Sequence, residues 1–303
     1  MRIKILGSAA GGGFPQWNCN CRNCAGVRAG TLRARPRSQS SIAVSGNGER
    51  WALCNASPDV LAQIVATPEL QARGVLRGSG IAAVALTDGQ IDHAAGLLLL
   101  REGERLSVYS TTLVRDDLME GFPVLRLLDH FCGVDWHSIG LDGEWFQLSG
   151  VDGIELRALP LGSKPPPFSP RRDAPLPGDN IGFLIRDRAS KRSAFYAPGL
   201  GSIDDRVTRE VKDVDCLLVD GTFWTDDEMI KMGVGRKRAR EIGHLPQSGP
   251  GGMIEWLSTF PNARRILIHI NNTNPILDEN SEERRTLEHD SIEVAFDGME
   301  LAL

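Results

Sequence analysis

The sequence lacks a long hydrophobic run. Its longest apolar stretches, such as Ile81–Leu86 and Ala94–Leu100, are far shorter than the roughly 20 residues that a helix needs to cross a bilayer. The first apolar residues, Met1–Leu6, are followed by glycine before the core or cleavage site of a signal peptide could form. The sequence therefore predicts no membrane span, and we expect the protein to be cytoplasmic.

The sequence also lacks a strong excess of charge of either sign. It has 34 lysine and arginine residues against 39 aspartate and glutamate residues, so the formal net charge is −5. Broad binding of nucleic acid depends on a concentrated positive face, so we expect no nucleic-acid partner and favour a small or peptide substrate. The hydrophobic fraction of 41% is ordinary for a globular protein, which excludes a disordered, collagen-like or coiled-coil chain.

Cysteine is scarce, but three of the six cysteines lie close together. Cys19, Cys21 and Cys24 form a Cys-x-Cys-x-x-Cys pattern, which is too tight for unstrained disulfides and offers three thiolates to a metal ion. The pattern predicts a structural zinc site whose fourth ligand comes from elsewhere in the chain. The alternative is three free thiols in a loop. Cys54 and Cys216 lie in apolar surroundings, which is typical of core residues.

Short β-like runs alternate irregularly with helical spacing through both halves of the chain, which predicts layered sheets with helices outside. The predicted strands are Ile3–Leu6, Ser41–Ser45, Trp51–Cys54, Ile81–Leu86, Leu106–Tyr109, Ile154–Pro160, Ile181–Ile185, Ser193–Tyr196, Cys216–Val219, Arg265–Ile270 and Ile292–Phe296. The predicted helices are Pro58–Val65, Ala94–Arg101, Leu113–Met119, Asp204–Lys212 and Gly251–Phe260.

One long segment, Leu161–Asn180, has no periodicity of either kind and contains six prolines. A segment of this length inside a compact domain is usually functional or disordered, so it is either a lid over a site or a surface insertion. Composition does not change across it, and no repeat or linker is present. We therefore expect a single domain over residues 1–303, with a proline-rich lid or loop at 161–180.

Polar residues follow two of the predicted strands. Thr87–His93 comes directly after Ile81–Leu86, and His269 stands at the end of Arg265–Ile270. The first segment resembles the His-x-His-x-Asp-His motif of the metallo-β-lactamase superfamily, with Asp88 and Gln90 in place of the two leading histidines and with the Asp92-His93 pair retained. His269 is placed where the superfamily has its last metal-binding histidine. The sequence therefore predicts a metal site formed by Asp92, His93 and His269.

Further motifs narrow the resemblance. The most specific are Gly11–Cys21, Tyr196–Gly201 and His269–Pro275. They resemble the family of pyrroloquinoline quinone (PQQ) biosynthesis protein B, a branch of the metallo-β-lactamase superfamily, and the likeness runs from end to end. The resemblance implies an α/β (α+β) fold, the four-layer αββα sandwich, which agrees with the predicted order of strands and helices. It also implies a place in PQQ biosynthesis.

The departures from hydrolytic relatives bear on the reaction, which the fold alone does not fix. Those relatives hold a first metal on the two leading histidines and bridge two metals with an aspartate in a Gly-Asp-Thr-like turn, where this chain has Tyr196–Gly199. Asp92, His93 and His269 remain, and two histidines with one carboxylate are the ligand set of non-haem Fe(II) oxygenases. The hypothesis is a single Fe(II) site with open positions for dioxygen and substrate.

The resemblance extends to related phosphodiesterases, in which an acidic residue and a histidine assist acid–base chemistry beside the metals. It implies a comparable pair of Asp220 and His244, in which the carboxylate fixes the tautomer of the imidazole. The alternative is a structural role, in which Asp220 caps the turn that follows it. Asp88 and Gln90 are further catalytic candidates, because they could reach the metal or orient the substrate.

In the same phosphodiesterase branch a histidine three residues after the terminal metal-binding one completes the cysteine zinc site. Counting from His269, that position is Asn272 in this sequence. Asparagine is a poor zinc ligand. Three alternatives stay open: Asn272 binds weakly, His269 is recruited to the cysteines, or another group closes the tetrahedron.

The resemblance implies a function as well as a site. The first hypothesis is an iron-dependent oxygenase that hydroxylates the tyrosine ring of a glutamate–tyrosine intermediate derived from a precursor peptide. Arg236, Arg238 and Lys164 would bind the carboxylates of such a substrate. Dioxygen, other proteins of the pathway and a second copy of the chain in a homodimer are the further expected partners. The alternative is a carrier that binds PQQ or its precursor and aids transport to the periplasm, and a zinc hydrolase is the third possibility.

Overall fold

The computed structural model describes every residue from Met1 to Leu303. Its strands are β1 (Arg2–Gly7), β2 (Ser41–Ser45), β3 (Trp51–Cys54), β4 (Ile81–Ala85), β5 (Leu106–Ser110), β6 (Val134–Ser138), β7 (Phe146–Gln147), β8 (Ile154–Pro160), β9 (Ile181–Asp187), β10 (Ser193–Ala197), β11 (Cys216–Asp220), β12 (Arg264–Ile268), β13 (Ile292–Val294) and β14 (Glu300–Ala302). Its helices are α1 (Arg22–Arg28), α2 (Val60–Ala66), α3 (Ile91–Ala94), α4 (Gly96–Leu99), α5 (Thr112–Met119), α6 (Val124–Leu128), α7 (Asp205–Glu210), α8 (Glu228–Lys231), α9 (Ala239–Ile242), α10 (Met253–Ser258) and α11 (Glu282–His289), with 3-10 turns at Pro68–Leu70 and Pro275–Leu277.

The strands form two seven-stranded mixed sheets. The first has the order β14-β1-β2-β3-β4-β5-β6 and the second the order β13-β12-β11-β10-β9-β8-β7. Strands β3 to β6 run parallel in the first sheet, and β10 to β13 run parallel in the second. Because parallel strands end at the same edge of a sheet, the loops after β4, β11 and β12 can bring polar side chains together.

The hydrophobic residues divide into three layers. Ile3 and Ile5 of β1 lie in a core that also contains Leu218 and Ile266 from the second sheet, so this core fills the space between the sheets. A second core packs the second sheet against α7, α10 and α11, and a third packs the first sheet against α2, α4, α5 and α6. The arrangement is the αββα sandwich that the sequence predicts.

The strand sequences explain this layering. Along β11, Cys216 and Leu218 lie in the core between the sheets, whereas Leu217 and Val219 lie under the helices. Both faces are buried, so the strand is a continuous apolar run rather than an alternating one. Cys216 and Cys54 are fully buried core residues, as predicted, and burial raises the pKa of each thiol to about 12.

One predicted helix is wrong. The predicted helix Ala94–Arg101 is two short helices, α3 and α4, that meet where Gly96 packs against the backbone after β3. A side chain at Gly96 would place its Cβ 2.2 Å from the carbonyl oxygen of Ser57, so the chain turns there on glycine. Helix α1 is not among the predicted helices, and Cys24 lies within it because the backbone becomes helical at Arg22.

Leu161–Asn180 contains no helix or strand, as predicted, but tertiary contacts hold it in place. Arg171 Nε donates to Asp179 Oδ1 at 2.7 Å, and Arg171 Nη2 donates to the carbonyl oxygen of Leu113 at 2.9 Å. Both carboxylates that face Arg171, those of Asp117 and Asp179, are almost fully buried. The segment is therefore held against α5, which contains Leu113 and Asp117. None of the helices is long and apolar enough to span a membrane.

Candidate metal centre

Polar side chains from three strand ends meet in one cavity. Asp88 follows β4, Asp220 is the last residue of β11, and His269 follows β12. Asp88 and His269 line a cavity of about 250 Å³ together with Asp92, His93 and His244, and Asp220 lies behind His244, which it contacts. Sites at the carboxyl ends of parallel strands are common in layered α/β proteins, since the loops there converge.

Asp92, His93 and His269 lie together, as the sequence predicts. Their ligand atoms are all within 4.8 Å of one another, and His269 Nε2 is 3.1 Å from Asp92 Oδ2. The rings of His93 and His269 meet edge to face with centroids 5.2 Å apart. Both imidazoles are buried, whereas the Asp92 carboxylate keeps 17% of its side chain exposed.

Asp88 contacts His93 directly. His93 Nδ1 lies 2.8 Å from Asp88 Oδ2 and 2.9 Å from Oδ1, and the carboxylate is itself held by Thr87 Oγ1 and the amide of Gln90. A carboxylate in this position accepts a hydrogen bond from Nδ1–H and leaves Nε2 as the nitrogen that can bind a ligand. His93 Nε2 is buried and has no hydrogen-bond partner in the protein.

His269 has an unusual backbone conformation. Its φ angle is 62°, in the left-handed region that residues other than glycine seldom adopt. Thr222 lies beside it, with Oγ1 2.9 Å from the His269 carbonyl oxygen and 2.8 Å from its Nδ1. Strained backbone of this kind persists where the surroundings hold it and occurs often at functional sites.

Asp220 and His244 form the pair that the sequence suggests. His244 Nδ1 lies 2.6 Å from Asp220 Oδ2, which also accepts the Leu200 amide, while Asp220 Oδ1 accepts the amide and hydroxyl of Thr222. The His244 ring stacks on His269 with centroids 5.3 Å apart. The carboxylate thus fixes the His244 ring, and it also caps the Thr222 turn, so the catalytic and structural roles are compatible.

The charges in the cavity reinforce one another. Burial by itself would raise the pKa of Asp92, but the charge of His93 and the contact with His269 hold it well below its usual range. Burial opposes protonation of His93, yet Asp88 and Asp92 raise its pKa to about 9. For His244, burial is likewise outweighed by Asp220, and its pKa is raised. The cavity therefore combines ionised carboxylates with imidazoles that hold protons.

These residues fit a metal ion. Two imidazoles and one carboxylate are a common ligand set, and the buried His93 Nε2 without a partner is the atom that an ion would satisfy. Binding would displace the Nε2 proton of His93, since only the neutral imidazole is a ligand. Gly11, in the loop after β1, allows the backbone to approach Asp92 closely, because a Cβ at Gly11 would lie only 3.3 Å from Asp92 Oδ2.

The cysteines form a second cluster. The Sγ atoms of Cys19, Cys21 and Cys24 lie within 4.8 Å of one another, which suits a thiolate zinc site. Asn272 is beside them, with its amide nitrogen 3.3 Å from Cys24 Sγ and 3.7 Å from Cys21 Sγ. Since the oxygen and nitrogen of an amide are interchangeable by rotation, Oδ1 can face the same position. His269 lies with Asp92 and His93 rather than here.

Of the three cationic residues predicted to bind substrate, only Lys164 lines the cavity. Gln90 Nε2 donates to the carbonyl oxygen of Lys164 at 3.1 Å, which joins the proline-rich segment to the end of β4. Arg236 and Arg238 are exposed and do not line the cavity, and the Arg238 guanidinium lies 3.4 Å from Asp226 instead. Arg172 lines it in their place.

Sequence reasoning missed Thr222 as a member of the site. Its hydroxyl lies within hydrogen-bond distance of Asp220, His244 and His269, at 2.5, 3.1 and 2.8 Å. The only signal in the sequence was its position two residues after Asp220 at a strand end. Threonine is common in such turns, so this signal does not distinguish a site residue.

Comparison with known proteins agrees with the geometry. Residues 50–270 match the family model of the beta-lactamase superfamily domain. The chain is 56% identical over 305 residues to coenzyme PQQ synthesis protein B of an Azoarcus species, covering 100% of both chains. It is 58% identical over 302 residues to the protein of the same name from Cupriavidus necator, covering 99% of both. The chain belongs to the coenzyme PQQ synthesis protein B family.

A solved structure of the family resembles this one closely. The crystal structure of Zn(2+)-bound PqqB from Methylobacterium extorquens is 39% identical, covers 100% of both chains and superposes with a TM-score of 0.89. Family membership and the matching fold confirm the metallo-β-lactamase architecture that the sequence motifs predict.

Proposed function

We propose that this member of the coenzyme PQQ synthesis protein B family acts in PQQ biosynthesis as an iron-dependent oxygenase. Its substrate would be a glutamate–tyrosine intermediate derived from the precursor peptide, hydroxylated on the tyrosine ring. The observation that carries the proposal is the buried, unpartnered His93 Nε2 beside His269 Nε2 and Asp92 Oδ2. Two histidines and a carboxylate at one metal leave coordination positions open for dioxygen and substrate.

The surrounding residues support one metal rather than two. Asp88, which replaces a leading histidine of hydrolytic relatives, hydrogen-bonds His93 instead of standing free as a ligand. The turn that bears the bridging aspartate in those relatives has Gly199 at the cavity wall and no carboxylate. A second ion would therefore lack its usual ligands, and a zinc hydrolase is the less favoured function.

The residues that line or support the cavity each have a specific role in the proposed reaction. Asp92, His93 and His269 would hold Fe(II), which supplies the redox chemistry needed to activate dioxygen. Asp220 orients His244, whose Nε2 would hold or accept the phenol proton of the substrate. Lys164 and Arg172 would bind substrate carboxylates at the other wall of the cavity.

The overall reaction balances with an external reductant. One oxygen atom of dioxygen enters the ring as a hydroxyl group, and the ring C–H bond is replaced by C–O. The other oxygen atom leaves as water after taking up two electrons from the reductant and two protons.

The test is mass spectrometry of a glutamate–tyrosine dipeptide after incubation with anaerobically purified protein, Fe(II), a reductant and then oxygen. We expect a gain of one or two oxygen atoms that disappears in His93→Ala and when zinc replaces iron. Arg126→Ala is the matched control, because Arg126 is exposed and pairs only with Glu120 on the surface. If protein with a confirmed iron content adds no oxygen atom to the dipeptide, the proposed oxygenase activity is refuted.

The second candidate function is a carrier for PQQ or its precursor. The two cationic side chains that line the cavity, Lys164 and Arg172, favour it. Lys164 and Arg172 face a polar cavity and could hold carboxylates without any redox step. A carrier predicts tight binding of PQQ that is weakened in Lys164→Ala and indifferent to iron. That result, combined with no oxygen transfer to the dipeptide, would favour the carrier.

The cysteine site has a separate proposed role. Cys19, Cys21 and Cys24 would hold zinc with Asn272 as the candidate fourth ligand, and the relative from Methylobacterium extorquens is described as zinc-bound. Asn23 beside them donates to the carbonyl oxygens of Asn272 and Asn274. The zinc would thus brace the segment that follows His269.

A further inference from the structure

A second cavity of about 440 Å³ lies away from the candidate metal centre. Arginine side chains from two distant parts of the chain reach it: Arg35 and Arg37 from the segment after α1, and Arg284 from α11. Phe296 and Met299, near the C-terminus, form part of its wall. None of the proposed metal ligands or catalytic residues lines this cavity.

Arg37 is the unusual member of this group. Only 5% of the residue is exposed, yet no carboxylate lies within 4.0 Å of its guanidinium. Its Nη1 donates to Ser8 Oγ at 3.1 Å and to the carbonyl oxygen of Ala295. Its Nε is buried and has no hydrogen-bond partner. The edge formed by Nε and Nη2, which is one of the two forks that can bind a carboxylate, is therefore unused by the protein.

Three glutamates, Glu279, Glu288 and Glu293, also line the cavity, but none of them forms an ion pair with Arg37. Glu279 pairs with Arg33 at 3.0 Å and with Arg35 at 3.2 Å. Glu293 makes a two-pronged pair with Arg264, at 2.6 and 2.8 Å, outside the lining. The buried charge of Arg37 consequently lacks a direct partner, which is costly for a guanidinium.

Arg284 adds a second cation that is weakly compensated. Its Nε lies 3.8 Å from Glu288 Oε1, beyond hydrogen-bond distance, and its Nη1 donates to the carbonyl oxygen of Ile276 at 3.3 Å. Burial lowers the pKa of Arg37 to about 10, and the positive charges of Arg284 and Arg35 add to this effect against the opposing charge of Asp297. Both guanidiniums line the same cavity, so an anion bound there would offset the unfavourable effect of one positive charge on the other.

We infer that this cavity is a binding site for a small oxyanion, with a carboxylate group as the best fit to the free fork of Arg37. Arg284 would hold the same anion from the opposite wall, and Phe296 would border its apolar part. The inference is independent of the proposed oxygenase, because it rests on different residues and needs no metal.

Titration calorimetry of the full, zinc-replete chain tests this site, with sodium succinate and sodium sulfate as the two probes. We expect saturable binding that weakens about 10-fold or more in Arg284→Gln and in Arg37→Lys, as for the loss of one charge-assisted hydrogen-bonding group. Binding of succinate alone would define a carboxylate site, and binding of both probes would define a general oxyanion site.

Two control variants locate the binding. Lys164→Gln removes a cation from the other cavity, and Arg126→Gln removes an exposed surface cation, so neither should change the affinity. If Arg37→Lys fails to fold, the affinity of Arg284→Gln alone tests the site. The Arg284 side chain is 20% exposed, so we expect this variant to fold. No binding to the wild-type chain, or equal binding by the wild type and Arg284→Gln, would overturn the inference, as would loss of binding in Lys164→Gln.

Discussion

Thr222 Oγ1 lies 2.8 Å from His269 Nδ1 and 2.5 Å from Asp220 Oδ1, so one hydroxyl joins the candidate metal ligand to the candidate acid–base pair. A hydroxyl has a single proton, and its short contact with a charged carboxylate favours donation to Asp220. Thr222 then accepts from His269 Nδ1–H, which leaves Nε2 free to bind a metal. Thr222 is thus a positioning residue for His269.

Thr222→Val should lower the affinity of the centre for Fe(II) by about 10- to 100-fold, as is usual when the group that orients a metal-bound histidine is lost. Valine keeps the shape of the side chain and removes the hydroxyl. Thr222→Ser is the matched control and should restore most of the affinity. Metal affinity measured by competition with a chelator would check this, and a normal affinity in Thr222→Val would contradict the role.

Asp88→Asn should also weaken metal binding by about 10- to 100-fold, because a neutral amide oxygen accepts the hydrogen bond from His93 Nδ1–H more weakly than a carboxylate does. The cysteine cluster does not contact Asp88, so its zinc content should stay unchanged. Iron and zinc contents of the same sample, determined by elemental analysis, separate the two sites. Loss of both metals would indicate misfolding rather than a role at the centre.

Cys24→Ser should release zinc and lower the melting temperature by several degrees, because a structural zinc site contributes directly to folding. The change acts on the segment that follows His269, through Asn272 beside the cysteines. Cys132→Ser is the control, since Cys132 is half-buried and lies outside the cluster. Equal melting temperatures for Cys24→Ser and the wild type would argue against a structural zinc.

Stability should depend on pH through Glu228. Burial raises its pKa to about 7, although hydrogen bonds from Thr273 and the Trp224 amide oppose the shift. In the unfolded chain the group ionises near its model value of 4.5, so the folded state binds more protons between these two values. The free energy of unfolding is therefore highest below pH 4.5 as far as Glu228 is concerned. It falls by about 2 to 3 kcal/mol as the pH rises towards 7.

Glu228→Gln should remove this dependence, since glutamine cannot ionise. The measurement is urea unfolding of both proteins at several values between pH 5 and pH 7.5, with Glu255→Gln as the control on an exposed helix surface. A wild-type stability that is flat across this range, or a slope unchanged in Glu228→Gln, would show that Glu228 is not the titrating group.

Arg171→Met should destabilise the protein by about 3 kcal/mol, because it leaves the buried carboxylate of Asp179 without its partner. The Asp117 carboxylate is also 2.9 Å from the Arg171 guanidinium, although outside hydrogen-bond geometry. Residues 161–180 should become more sensitive to protease, which mass spectrometry of the fragments would locate. Arg126→Met, on the surface, should change neither stability nor the cleavage pattern.

Local patterns in the sequence were sufficient to predict much of the fold and part of the candidate site. The strands around Ile81–Leu86 and Cys216–Val219 were predictable because short apolar runs bounded by turns are typical of buried strands. The Asp92-His93 pair and the three clustered cysteines were recognisable because their spacing along the chain is itself the signal. The shorter helices, such as α6 and α9, were missed, since four or five residues are too few to establish a period.

Contacts between distant segments decided the rest. Arg236 and Arg238 looked suited to an acidic substrate by their nearness to His244 in sequence, yet Arg172 from the proline-rich segment lines the cavity instead. Asp88 looked like a replaced ligand, and only the packing of α3 on the end of β4 makes it the partner of His93.

The sequence by itself determined which residue types stand at the strand ends, because hydrophobic periodicity and motif spacing are local properties. The tertiary structure alone decided which of them meet. His93 and His269 are far apart in the chain and follow strands of different sheets, so their contact depends on how the two sheets pack across a shared core. The same holds for Arg37 and Arg284, which line one cavity although they are far apart in the chain, and the missing partner of Arg37 becomes apparent only because the fold buries it.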